Sequence, residues 1–341
     1  MTTMQRARFL PLSLVAALVL ALVLTVTGAR GQDATPAASP TPDLMTEYGP
    51  VQANEAYRIA FMQPYPNLTF WQILEQAVKE RAAANGVTVD VIALGTGNVS
   101  DQVSQMEDAV TQGYDGIIIG TVDAAGIVPG ITAANEAGIP VLAVDTAPAG
   151  GELISLVQTD NVAASRAAGE FIAAQIGGTG KVLNLQGDMA NQTAQARSQG
   201  LEEALAEHPD IQLISQSAHW TQEEGLSITE NILQSDPDIK AIFAANDPPA
   251  FGALQALKAA GRDDVLIVGF DANPDAVQAV KDGEFAADIA QFPAVMGTVG
   301  VDLMVRHLNG ETVPATVDSG SAVITPQNVD QFLPQEATPA A

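Results

Sequence analysis

The chain has 341 residues, of which 47% are apolar, 5% are aromatic and none is cysteine. That length can bury one large hydrophobic core or two ordinary ones. The lack of cysteine excludes thiol catalysis, zinc–thiolate sites, disulfides and a lipid-modified N-terminal cysteine.

The N-terminus has the pattern of an export signal. Arg6 and Arg8 precede an uncharged Leu/Val/Ala-rich run over residues 9–29, which ends in Ala-Arg-Gly. This predicts a signal peptide over residues 1–31, cut before Gln32. Because the run is long for a signal core, an uncleaved membrane anchor stays open.

Two segments contain too few apolar residues to form a hydrophobic core. Residues 32–56 follow the signal and begin rich in Pro, Ala and Thr, and residues 334–341 are similar in composition. Such composition favours a flexible tether and a disordered tail, respectively.

The charge balance is strongly acidic. The formal net charge is −26, and residues 1–31 carry three of the 14 basic residues and none of the 40 acidic ones, so removing them leaves 11 − 40 = −29. A charge of this sign argues against nucleic acid and anionic lipid surfaces as partners. It indicates a soluble exported protein and carries no evidence for a cationic substrate.

From Tyr57 onward, short apolar runs alternate with amphipathic segments. The runs predict strands at 58–62, 87–93, 116–119, 140–144, 153–157, 181–185, 211–215, 239–244, 265–269 and 285–290. The segments predict helices at 70–85, 99–112, 124–137, 162–176, 194–208, 222–234, 250–260, 274–282 and 294–308. Alternating strands and helices with continuously apolar strands predict parallel sheets covered on both faces.

The number of strand–helix units is too large for a single doubly wound domain. The prediction is therefore an α/β fold of two doubly wound, Rossmann-like lobes. The first lobe takes residues 57–158 plus 293–318, and the second takes 159–291 plus 319–333. If the helix at 294–308 packs back on the first lobe, the chain crosses between lobes more than once. Several crossings would form a hinge beside a cleft that can close.

Polar and aromatic side chains follow the predicted strands. Open α/β sheets bind ligands at the carboxyl ends of their strands, and Asn246 and Asp271 lie at that edge. The other candidates are Phe70, Trp71, Asp145, Arg197, Trp220 and Gln291. Five of them have an ordinary alternative: helix core for Phe70 and Trp71, a surface ion pair for Arg197, and helix N-caps for Asn246 and Asp271.

Catalytic and metal-binding patterns are absent from the sequence. The three histidines lack metal-ligand spacing, and there is no nucleophile elbow or Walker A loop. Asp145 and Asp271 could form a glycosidase carboxylate pair, but neither has a sequence neighbour expected to raise its pKa. We therefore expect no catalysis, no metal and no cofactor.

Together the candidate residues suit a neutral sugar. The C–H-rich face of a sugar ring stacks on aromatic side chains, and its hydroxyl rim pairs with planar Asp, Asn, Gln and Arg groups.

The residues also resemble those of a known family. From Tyr57 to about Gln331 the chain resembles the periplasmic sugar-binding proteins of the ribose/galactose type, with the type I fold. The motifs are Val268-Gly269-Phe270-Asp271, Phe243-Ala244-Ala245-Asn246-Asp247 and Ile289-Ala290-Gln291, together with Asp145, Arg197 and Trp220 at matching positions. The resemblance implies two lobes joined by three hinge segments, with bound sugar delivered to an ABC permease.

The first lobe departs from the family pattern. The frequent Asn-Pro-Phe-Phe is Leu68-Thr69-Phe70-Trp71 here, and the Arg that commonly follows the first-lobe Asp is Thr146. Ribose is therefore disfavoured, while another pentose, a hexose, a polyol or a furanosyl signal such as autoinducer-2 stays open.

The resulting prediction is a monomeric, extracytoplasmic solute-binding protein that serves an ABC importer. Alternatives are a sensing component that feeds a chemoreceptor or sensor kinase and, in a different class, an exported glycoside hydrolase. A DNA-binding repressor is disfavoured because no helix-turn-helix precedes Tyr57.

Overall fold

The computed structural model describes residues 44–95 and 97–333. The strands in these ranges are β1 (Arg58–Gln63), β2 (Thr88–Ala93), β3 (Gly116–Ile119), β4 (Val141–Val144), β5 (Ser155–Gln158), β6 (Thr179–Gln186), β7 (Asp210–Ser217), β8 (Ile239–Ala244), β9 (Leu266–Asp271), β10 (Ala287–Ala290), β11 (Thr316–Asp318) and β12 (Ala322–Ile324).

The helices alternate with these strands. They are α1 (Leu44–Glu47), α2 (Thr69–Asn85), α3 (Val99–Gln112), α4 (Val128–Glu136), α5 (Asn161–Gln175), α6 (Gln192–Ala206), α7 (Gln222–Ser235), α8 (Asp247–Ala260), α9 (Pro274–Lys281) and α10 (Pro293–Leu308), with a short 3₁₀ turn at Val329–Gln331. Within the described ranges, none of them is both long and apolar enough to cross a membrane.

Two six-stranded sheets organise the chain. The first has the order β11-β5-β4-β3-β1-β2, and the second has the order β12-β10-β9-β8-β6-β7. The pairings are parallel, except that β12 runs antiparallel to β10. Neighbouring residues of β1 pack into different cores, Phe61 into one and Met62 into another, because helices cover both faces of the sheet. The predicted two-lobe α/β fold is confirmed.

The chain passes between the sheets three times, from β5 to α5, from β10 to α10 and from β11 to β12. The return at α10 brings that helix against α2. Arg81 Nε donates to both carboxylate oxygens of Asp302 at 2.7 and 2.9 Å, and Asn85 Nδ2 donates to the same carboxylate at 2.7 Å. These crossings form the predicted three-segment hinge.

The segment that precedes β1 differs from expectation. For residues 44–56 the predicted tether is wrong, because its apolar residues join the core of the first lobe. Leu44 is buried, and Tyr48 and Val51 pack against the same cluster. The amide of Asn54 donates to Asn309 Oδ1 at 2.9 Å. The signal (1–31), the rest of the tether (32–43) and the tail (334–341) lie outside the described residues.

The sequence also gave no indication of β11 and β12. Both have three residues and lie in a stretch with little hydrophobic alternation. They are strands because each adds to the edge of an existing sheet, β11 beside β5 and β12 beside β10.

Candidate functional site

The two sheets present the carboxyl ends of their strands to one cavity between the lobes. All eight residues predicted from the sequence line it, together with five more. The full lining is Tyr65, Leu68, Phe70, Trp71, Asp145, Thr146, Asn191, Thr193, Arg197, Trp220, Asn246, Asp271 and Gln291.

The two tryptophans of the chain both line this cavity, and each rests on a glycine. A Cβ added to Gly120, after β3, would lie 2.0 Å from an atom of the Trp71 ring. A Cβ added to Gly187, after β6, would lie 2.2 Å from the Trp220 ring. Only glycine lets the rings approach the strand ends this closely, so these two positions set where the indoles lie.

Phe70 and Trp71 occupy the first turn of α2, where the chain leaves β1. Their rings meet edge to face with centroids 5.5 Å apart, and both side chains are buried. The alternative of ordinary helix core is therefore partly right, since both rings also belong to the core of the first lobe. They form the apolar wall of the cavity on that side.

Arg197, on α6, is buried rather than part of a surface ion pair. Its Nε donates to Asn161 Oδ1 at 2.8 Å and its Nη1 donates to the carbonyl of Ala245 at 2.5 Å. The guanidinium lies 3.7 Å from the centroid of the Phe270 ring, and Nη1 is 3.6 Å from Asp271 Oδ1. The side chain is thus fixed before any ligand contact, as a preorganised binding group requires.

Asp271, Gln291 and Asn246 form the polar floor of the second lobe. Gln291 Nε2 donates to Asp271 Oδ1 at 2.7 Å. Neither Asn246 nor Asp271 caps a helix with its side chain, so the N-cap alternative is wrong for both. Within the described part of the chain, the buried oxygens Asn246 Oδ1 and Gln291 Oε1 have no hydrogen-bond donor. Buried acceptors without donors are costly, and a ligand hydroxyl would satisfy them.

Three lining residues have backbone conformations that L-residues seldom adopt. Asp145, Trp220 and Asp271 have φ angles of 63°, 63° and 121°. The sequence prediction ended β9 at Gly269, whereas the strand continues to Asp271, which is its last residue. Strained residues of this kind persist where the surrounding structure fixes them, and they cluster at ligand sites.

Burial controls the ionisation of the site. It raises the pKa of Asp145 to about 7 and that of Asp271 to about 6, although the Arg197 charge opposes both shifts. Burial also lowers the pKa of Arg197. The expectation that nothing near Asp145 and Asp271 raises their pKa is therefore wrong, because the environment that does so comes from the closed fold rather than from sequence neighbours.

The lobes touch directly beside the cavity. Asn191 Nδ2 donates to the carbonyl of Thr121 at 3.0 Å, and Thr193 Oγ1 donates to the carbonyl of Asp145 at 3.1 Å. Tyr65 and Leu68 of the first lobe pack against a second-lobe cluster of Ala194, Trp220 and Ala245. The structure is thus a closed form, in which the lobes enclose the lining residues.

Sequence reasoning missed Tyr65, Asn191 and Thr193. Asn191 did carry a signal, because it caps α6 by accepting from the amide of Thr193 at 2.9 Å, and Asn is a preferred N-cap residue. Thr146 was noted only as a departure from a family pattern. Its hydroxyl accepts from the amide of Thr121 at 2.6 Å and donates to the carbonyl of the same residue at 3.1 Å, so it serves the backbone.

The described residues contain no cluster of His, Asp and Glu that could hold a metal ion. Among the described residues, the charged groups that line the cavity are Asp145, Arg197 and Asp271. Such a set can orient and hydrogen-bond a neutral polar ligand.

Comparison with known proteins gives a consistent result. Residues 59–312 match the family described as periplasmic binding protein domain. The ribose import binding protein of Salmonella typhimurium is 36% identical over 249 residues, covering 73% of this chain and 84% of that protein. The xylitol-binding protein of Mycolicibacterium smegmatis is 35% identical over 243 residues, covering 71% and 70%. A solute-binding protein of Actinobacillus succinogenes, solved with bound D-allose, is 28% identical with a TM-score of 0.76, covering 81% and 99%.

Proposed function

Because the chain belongs to the periplasmic binding protein family, we propose that its interlobe cavity captures a small carbohydrate or polyol for delivery to the permease of an ABC importer. The protein is a solute-binding protein and not an enzyme, so the hydrolase alternative falls away. Its family places it in the periplasm.

One observation carries the choice of ligand. Planar polar groups of the second lobe lie in the same cavity as two indole rings from opposite lobes, and among the described residues two of their buried acceptors have no donor. A sugar or polyol offers hydroxyl donors to Asn246 and Gln291 and C–H surface to Trp71 and Trp220. Asp271 and Arg197 add an acceptor and donors at fixed positions.

The two lobes contribute unequally to this contact. Among the lining residues of the first lobe, Asp145 is the charged one and Tyr65 adds a hydroxyl, while Leu68, Phe70 and Trp71 are apolar and Thr146 is occupied by the backbone of Thr121. We propose a ligand that directs most of its hydroxyls to the second lobe. The relatives named above bind a pentose, a pentitol and a hexose, and ribose itself fits less well because of Leu68 and Thr146.

A chemoreceptor or a sensor kinase could also bind the same closed form. The observation that favours this second role is that closure joins surfaces of both lobes through Asn191 and Thr193, so a partner can distinguish closed from open protein. Pull-down of a chemoreceptor ligand-binding domain in the presence of the sugar, with loss of capture in its absence, would support it.

We also propose the organisation of the chain. Residues 1–31 act as the export signal. The lobes comprise 57–158 with 293–318 and 159–291 with 319–333, and the protein functions as a monomer. What supports these lobe limits is that the chain leaves one sheet for the other near each of them.

A thermal-shift screen against pentoses, hexoses and polyols tests the function. A ligand that binds only the folded state raises the melting temperature, by an amount that grows with concentration relative to Kd. Because both tryptophans line the cavity, the same ligand should change the intrinsic tryptophan emission. A screen in which no sugar or polyol changes either signal would contradict the proposal.

A further inference from the structure

Two carboxyl groups are buried directly beneath the ligand site. Asp247 is the first residue of α8 and is 1% exposed, and Asp288 lies in β10 and is 0% exposed. Within the described ranges neither side chain forms an ion pair with a Lys or Arg. Burying two carboxylates without cations would be very costly, so their arrangement requires an explanation.

The two carboxyls converge over Gly269 of β9. A Cβ added at Gly269 would lie 2.6 Å from Asp288 Oδ2 and 2.9 Å from Asp247 Oδ1, so both oxygens occupy the space above this glycine. In the described part of the chain no N–H or O–H group donates to either of these oxygens. The two oxygens therefore face each other, and a proton on one of them would donate a hydrogen bond to the other.

The outer oxygens of the same carboxyls hold the turn that follows Asp271. The amide of Ala272 donates to Asp288 Oδ1 at 3.2 Å, and the amide of Asn273 donates to Asp247 Oδ2 at 2.9 Å. Asp271 and Ala272 have φ angles of 121° and 56°, which are unfavourable for residues with a Cβ. Two hydrogen bonds to consecutive amides hold the chain in this conformation, and with it the direction of the Asp271 side chain.

We propose that Asp247 and Asp288 share one proton and act as a positioning pair that holds Asp271 in its binding geometry. This role rests on the proposed function, since Asp271 matters as a ligand group only if the cavity binds a solute. Two ionised carboxylates at this separation repel, whereas a singly protonated pair forms a hydrogen bond, as in other carboxyl pairs that share a site.

The electrostatic surroundings agree with a retained proton. Burial raises the pKa of Asp288 to about 7 and raises that of Asp247 well above its usual range. The charged groups that face the pair are Asp271 from β9, which opposes ionisation, and Arg197 from α6, which favours it. Asp275 at the start of α9 is exposed, and Arg166 and Glu170 of α5, the helix beside β10, pair with each other at the surface.

The direction of the pH effect follows. While the pair keeps its shared proton, both outer oxygens hold the turn. When the pH rises far enough to remove this proton, the second carboxylate forms, the two groups repel, and the amides of Ala272 and Asn273 lose their fixed acceptors.

The test uses the full chain without any ligand, so it does not depend on knowing the sugar. In protein labelled with ¹⁵N-Ala and ¹⁵N-Asn, the Ala272 and Asn273 amide signals should shift together as the pH is raised from 5.5 to 10. Their one common midpoint should lie above that of the neighbouring Asp271, whose pKa is about 6. In Asp288→Asn the amide group can donate to Asp247 without a titrating proton, so this shared shift should be lost. Asp275→Asn, which removes a nearby exposed charge, should keep the wild-type midpoint.

Two results would contradict the proposal that Asp247 and Asp288 share a proton. One is a wild-type protein in which the two amide signals do not shift over this pH range, and the other is an Asp288→Asn protein that retains the shared midpoint. If Asp288→Asn does not fold, the reciprocal Asp247→Asn carries the same expectation, with the new amide donating to Asp288. Failure of the sugar screen with a positive titration would reject the function and leave the carboxyl pair intact.

Discussion

Thr193 Oγ1 donates a 3.1 Å hydrogen bond to the backbone carbonyl of Asp145, joining a helix of the second lobe to the end of a strand of the first. Asp145 is at the same time a cavity residue with a φ of 63°. A bond that closes the lobes is therefore made by the backbone of a ligand-binding candidate, so closure and ligand contact are physically linked at this residue.

Removing the Thr193 hydroxyl should weaken sugar binding, because it destabilises the closed form of the protein. Thr193→Val keeps the side-chain shape but removes the hydrogen bond, worth about 1 kcal/mol, so the Kd for the sugar should rise roughly fivefold in calorimetry. Thr229→Val is a matched control, since the Thr229 hydroxyl donates at 2.7 Å to the carbonyl of Gly225 within one helix of the second lobe. Equal effects of the two variants on Kd would refute a closing role for Thr193.

Methyl groups beneath the tryptophans should reshape the cavity. Gly120→Ala or Gly187→Ala places a Cβ within about 2 Å of an indole, so the ring must move and the sugar should bind at least about tenfold more weakly. The tryptophan emission of the free protein should shift as well. Gly95→Ala is the control, because among the described residues, apart from its chain neighbours, no atom lies within 4 Å of a Cβ at that position. Unchanged emission and affinity in both variants would mean that the rings do not rest on these glycines.

Much of the second-lobe half of the site could be predicted from the sequence, for a physical reason. Asn246, Asp271 and Gln291 follow strongly apolar runs, and the parallel-sheet rule places strand ends at one edge. Arg197 and Trp220 stand out because such residues are rare in this chain. All of these residues line the cavity.

What could not be predicted depends on contacts between distant segments. Thr193 acts across the cleft on Asp145, 48 residues away, and the pKa of Asp145 is raised by burial that the closed lobes create. The packing of residues 44–56 on α2 and α10 was missed for the same reason. A proline-rich stretch looks extended in sequence, and the groove that accepts Leu44 exists only in the folded lobe.

The docking of α10 on the first lobe should depend on its buried ion pair. Asp302 is buried and accepts hydrogen bonds from Arg81 and Asn85. Arg81→Met leaves the carboxylate without its cation and should lower the free energy of unfolding by about 3–5 kcal/mol in urea titrations. Lys79→Met, which removes a more exposed partner of Glu75, should cost no more than about 1 kcal/mol. Equal stabilities of the two variants would show that the pair does not hold α10.

Stability without ligand should depend on pH through Asp145. Its pKa is raised from 3.8 to about 7 in the folded protein, so the folded state retains a proton that the unfolded state releases near pH 4. Stability is therefore full below pH 4 for this group and falls as the pH rises towards 7, by an amount on the order of 4 kcal/mol. Asp145→Asn should reduce the difference between urea midpoints at pH 5 and pH 8. An unchanged difference would place the titration elsewhere.

The most direct test of the carbohydrate site is calorimetry. Three proteins are titrated with the sugar that the screen identifies. Wild type and Asp275→Asn, which alters an exposed carboxylate four residues away, should bind it equally. Asp271→Asn removes the charge opposite Arg197 and replaces one carboxylate acceptor with an N–H donor, and should lose binding by at least about a hundredfold. Binding by Asp271→Asn at wild-type affinity would contradict the assignment of this cavity as the sugar site.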